Sequence, residues 1–178
     1  MVAGAHSAEE DPVVVTGLGL STSLGFGANV NWERMLGGHS AITVHPPELF
    51  PLPVSLPVRL GARIDRGQLF QRIQAAVPRA VWNTSEPLCH LWLLTALEAL
   101  GQAGLGGDAG PPEAGAPAGR VGVFVGTGGG PTDFIESEYL NIFTAEKAVR
   151  RDVSRMAVPK YMASSLAVPV NLKRATGA

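Results

Sequence analysis

A cysteine followed by a histidine offers the residue types of an activated thiol nucleophile beside its base. Cys89-His90 is such a pair, but its spacing defeats the chemistry. Neighbouring residues on a helix project about 100° apart, so the two side chains diverge. Cys89 also falls within the most apolar stretch of the chain, where a small buried core residue is the stronger reading. His6, His39 and His45 lie in arm or loop segments without metal-ligand spacing to one another. The sequence holds no Gly-x-Ser-x-Gly elbow. No convergent acid, base and nucleophile can be named, so no catalytic residue, metal or cofactor is expected from these residues.

Two glycine-rich turns invite a nucleotide test. Gly17-Leu18-Gly19-Leu20-Ser21-Thr22 carries Thr where a dinucleotide fingerprint needs its third glycine. Gly126-Thr127-Gly128-Gly129-Gly130-Pro131 carries Pro there. Neither contains the Gly-Lys-Ser/Thr of a phosphate loop. Tight turns packed close to neighbouring backbone are the expectation for both.

Charge gives one further candidate. Lys147, Arg150, Arg151, Arg155, Lys160, Lys173 and Arg174 crowd the last third, with only Asp152 against them after Glu146. Such a run is most often a solvated face; the sharper reading is a docking surface for an acidic partner. The net charge of −1 argues against nucleic-acid binding by bulk electrostatics.

Positioning these residues requires an α/β frame. Val13-Val14-Val15-Thr16-Gly17-Leu18-Gly19-Leu20 reads as a buried central strand. A short apolar run could also belong to a buried helix, but its length and glycines favour the strand. Ser21 to Gly25 makes a polar turn, and Ala28, Trp32, Met35 and Leu36 then share one face of a helix ended by Gly37-Gly38. Five prolines between Pro46 and Pro57 forbid regular structure there. Val58 to Ile64 suits a small edge strand, and Gln68 to Ala76 is weakly helical.

Leu88 to Leu105 is apolar nearly all round, hence buried on more than one side, and Gly104 closes it. Gly106 to Gly119 reads as a surface loop. Val121 to Gly126 is a second central strand, placed beside the first. Thr132 or Asp133 would then cap a helix whose apolar face is Ile135, Tyr139, Ile142 and Phe143, with Glu136 completing a capping box. A last helix is expected from Pro159 toward Leu172. Pro169 would kink or end it, at a cost of about 3 kcal/mol inside a helix.

The composition is that of a globular protein: 46% hydrophobic and 16% charged, with 22 Gly and 14 Pro implying many loops. One domain is expected over residues 13–178, behind a polar arm at 1–12 that lacks the features of a secretory or transit signal. Its loops are placed at 43–57 and 106–119. The single cysteine excludes an internal disulfide, and no apolar run reaches the length of a membrane span.

Several stretches, in order, resemble one family. Val13-Val14-Val15-Thr16-Gly17-Leu18-Gly19, with Leu24-Gly25, looks like the opening of the β-ketoacyl-[acyl carrier protein] synthases. Trp32-Glu33-Arg34-Met35-Leu36-Gly37-Gly38-His39-Ser40-Ala41-Ile42 is similar to the family's first helix and its "GxSGI" turn. Leu56 to Arg63 resembles the next strand, and Ala96 to Leu105 the "A…AL.dAGL" helix. Arg120 to Gly130 resembles the "riGv.vGtg.GG" strand and turn, and Val158 to Met162 the "vP..m" helix start.

The resemblance implies a truncated thiolase-like α/β fold: the front part of the first βαβα half, an incomplete sheet flanked by helices. It implies that the catalytic Cys, the two His and the Lys of the family lie beyond Ala178, and that Cys89 occupies an ordinary helix position. It places the acyl-pocket side chain at Gly129, which offers no wall for a chain. Ser164 stands where the family usually has Asn, and Pro169 where its helix runs on.

Two strands and an apolar helix cannot cover one another, and wet apolar surface forfeits roughly 25 cal/mol per Å². Other protein subunits are therefore expected over the open sheet and helix. The leading expectation is a non-catalytic structural or interaction subunit of a larger assembly, such as a mitochondrial or synthase complex. The alternative is the N-terminal part of a split or longer 3-oxoacyl-[acyl carrier protein] synthase performing decarboxylative condensation. A third reading is a docking piece for acyl carrier protein, which would use the basic positions Lys147, Arg150, Arg151, Arg155 and Lys160.

Overall fold

The computed structural model describes residues 12–46, 59–105 and 122–144. Among these, the elements run β1 (Ser21–Thr22), β2 (Gly25–Phe26), α1 (Ala28–Leu36), β3 (Ile42–Val44), β4 (Leu60–Ala62), α2 (Arg66–Ala76), α3 (Arg79–Trp82), α4 (Pro87–Gln102) and α5 (Thr132–Thr144). The class is mixed α/β, with two separate antiparallel two-stranded pieces. In one, Ser21 pairs with Phe26 and Thr22 with Gly25; in the other, Ile42 pairs with Ala62 and Val44 with Leu60.

The core lies between α2 and α4. Ile73, Val77, Val81, Cys89 and Leu93 are its buried members, with Trp82, Leu88, Trp92 and Leu97 packed against them. Cys89 and Leu93 stand one turn apart on α4 and are fully buried, so they fix which side of that helix meets α2. The rest of α4 is half-buried almost all round, as its composition requires. Its ends are chemically defined. Glu86 caps the start, accepting from the N–H groups of Leu88 (2.6 Å) and Cys89 (2.7 Å), and Pro87 occupies the first turn.

At the far end Gly104 adopts φ +70°, with Leu105 N–H donating to Leu100 O and Gly104 N–H to Gly101 O. This pair of bonds is the Schellman closure. The same closure ends α1: Gly38 sits at φ +71°, His39 N–H donates to Arg34 O and Gly38 N–H to Met35 O.

Several sequence expectations need correction. Val13 to Leu20 carries no ladder pairing, and Val13, Val14 and Val15 are 101%, 67% and 78% exposed. Residues 122–126 likewise join no ladder, so the two segments are not paired strands. A strand needs a hydrogen-bonded neighbour, and no described segment supplies one to either. Val123 and Val125 pack on the core while Phe124 between them is 97% exposed, so an alternating apolar pattern survives without a ladder.

The apolar faces of the outer helices also turn outward. On α1, Trp32, Met35 and Leu36 are exposed and Asn31 is fully buried. On α5, Tyr139 and Phe143 are exposed, while Phe134 and Glu138 face inward. Thr132 and Asp133 belong to the first turn of α5 and do not cap it, since Ile135 N–H donates to Pro131 O. Positions 43 and 44, expected in a loop, belong to β3. The helix expected at 68–76 begins at Arg66 because Asp65 caps it, accepting from Gln68 N–H at 2.9 Å. Most of the polar arm, the loop at 106–119, the helix from Pro159 and Pro169 lie outside the described residues.

Candidate functional site

The first glycine turn is built on α4. Thr95, Glu98 and Gln102 interrupt this apolar helix at spacings of three and four, so they share one face. Leu20 N–H donates to Glu98 Oε2 (2.9 Å) and Ala28 N–H to Glu98 Oε1 (2.6 Å); Leu18 N–H donates to Gln102 Oε1. Thr95 and Ser21 join through their hydroxyls at 3.0 Å. These side chains occupy backbone donors that a neighbouring strand would otherwise take. Glu98 also caps α1, which has no side-chain cap of its own.

The close fit explains the glycines. A Cβ at Gly17 would collide with the carbonyl oxygen of Ala99, and one at Gly19 with that of Thr95. Close backbone packing, the expectation for this turn, is thus its observed role. Behind it, the buried Asn31 amide donates to Gly25 O (2.9 Å) and Gly27 O (2.8 Å) and accepts from the Thr22 hydroxyl. Sequence reasoning missed Glu98, Gln102 and Asn31. For Glu98 and Gln102 the available signal was that, with Thr95, they form three polar residues at helical spacing inside a largely apolar helix; for Asn31 there was none.

The second glycine turn differs. A Cβ at Gly126, Gly128 or Gly130 would meet nothing within 4 Å, so close packing, expected here too, is corrected. Gly130 needs its glycine for another reason, its φ of +66°. Gly129 is exposed, and a Cβ there would make one ordinary contact, 3.4 Å from the Thr132 methyl.

Beside this turn, the first turns of α2, α4 and α5 enclose a cleft of about 300 Å³, bordered by Arg63, Arg66, Glu86, Leu91, Pro131 and Asp133. Arg66 pairs with Asp133 across its mouth, linking α2 to α5. Burial pushes the Glu86 carboxyl above its ordinary value, opposed by the two N–H groups it caps and aided by the nearby Asp133 charge. Glu86 and the Arg66–Asp133 pair thus already serve structural bonds.

His90 does not face Cys89. Its Nε2 lies 2.9 Å from Trp82 O, and burial holds its pKa below the ordinary imidazole value. His39 Nδ1 lies 3.1 Å from Arg34 O, and His45 Nε2 lies 3.0 Å from Gly61 O, each tied to backbone. Among the described residues, no three His, Cys, Asp or Glu side chains gather as a metal site. Lys147, Arg150, Arg151, Arg155 and Lys160 lie outside the described residues. No helix among those described is long and apolar enough to cross a membrane.

Comparison with known proteins fits this frame. The family model "Beta-ketoacyl synthase, N-terminal domain" matches residues 10–174. The crystal structure of a β-ketoacyl synthase from Burkholderia phymatum STM815 is similar at 22% identity and a TM-score of 0.67. That match covers 90% of this chain and 37% of the other. The likeness is one of fold, a thiolase-like α/β arrangement of which this chain spans part. The chain belongs to the β-ketoacyl synthase N-terminal domain family.

Proposed function

We propose that these residues act as an interaction element of a larger assembly, supplying shape and surface without a nucleophile of their own. The carrying observation is a set of exposed apolar side chains on two unladdered segments. Val13, Val14, Val15 and Phe124 are exposed on segments with no ladder among the described residues. Burying them would favour association by roughly 25 cal/mol per Å², and a strand from another polypeptide is the natural cover. Cys89, the one cysteine in the sequence, is fully buried in the core, which suits packing rather than attack on a thioester.

The family match favours a second reading, in which the covering polypeptide carries the reactive groups. The assembly would then condense malonyl-carrier protein with an acyl thioester, forming a carbon–carbon bond and releasing carbon dioxide and the thiol of the acyl donor. The basic positions Lys147, Arg150, Arg151, Arg155 and Lys160 would receive the acidic carrier protein.

Native mass spectrometry of the protein isolated from its source tests both readings. A stoichiometric complex with unrelated chains supports the interaction element. A partner segment that becomes acylated by an acyl thioester supports the condensing assembly. Acylation of Cys89 would sink the first reading, as would a soluble monomer whose amides at 13–16 and 122–126 resist hydrogen exchange.

A further inference from the structure

We draw no further inference here: the strongest candidate, the cleft between the first turns of α2, α4 and α5, carries nothing because Glu86 and the Arg66–Asp133 pair already serve structural bonds and these helix N-termini come with no second observation that points to a ligand.

Discussion

The two glycine turns each follow an apolar run and differ in what holds them. Gly17 and Gly19 are pressed against the carbonyls of α4, and the backbone between and beyond them is bonded to Glu98 and Gln102. Gly126 and Gly128 face open space, and among the described residues Val123 and Val125 fasten that segment by side-chain packing. The lesson is that a glycine-rich turn after an apolar run does not state its own role. The neighbouring helix decides it, by placing or withholding polar partners.

Substituting the glycines should widen that contrast most. Gly19→Ala drives a methyl into the Thr95 carbonyl, so the segment must lift from α4, at about 3 kcal/mol. Gly128→Ala enters open space at an unstrained φ and should stay within about 0.5 kcal/mol of the parent. Chemical denaturation of both variants checks this. Equal losses would mean that the turns are held alike.

Glu98→Gln comes next. The carboxylate accepts from both Leu20 and Ala28, whereas the amide has a single oxygen to offer. One donor is left without its acceptor, at about 1–3 kcal/mol. Amide exchange should speed up at 18–28 and stay unchanged at 122–126. Uniform acceleration across both segments would count against a local staple.

The pH response should separate two titratable groups at the start of α4, Glu86 at its cap and His90 one turn on. Folded Glu86 holds its proton more tightly than the unfolded chain does. Its contribution favours folding at low pH and is lost as pH rises from the ordinary 4.5 through the raised folded value. His90 runs the other way. Its contribution is full above the ordinary 6.5 and is lost as pH falls from there through the lowered folded value. Melting temperatures across this range should lose the first slope in Glu86→Gln and the second in His90→Gln. Parallel curves for all three proteins would refute both assignments.

Arg66→Ala should matter least. The pair with Asp133 is solvent-exposed, at 60% and 69%, so salt screens it. A loss below about 1 kcal/mol is expected, vanishing in high salt. A larger, salt-independent loss would show that the pair does more for α5 than an exposed bridge can.

Much of this was legible in the chain. Gly37-Gly38 and Gly104 marked helix ends because the left-handed closing position favours glycine. The apolar girth of α4 announced a helix covered on several sides. The inward face of α1 was not legible. Its apolar side is exposed because its buried position is filled by Asn31, whose amide answers three backbone groups and a hydroxyl that no local pattern reveals. The cap of α1 was hidden likewise, since Glu98 is 70 residues from Ala28 in sequence.

The order of residues by itself determined α1, α2, α4 and α5, the glycine stops of α1 and α4, and the family, because periodicity, glycine geometry and motif order are local properties; the short α3 went unread. Tertiary structure alone decided which apolar runs become strands, because a strand exists only when another segment meets its backbone donors and acceptors. For 13–20 a helix met part of that need through side chains, and for 122–126 no described segment met it with a ladder.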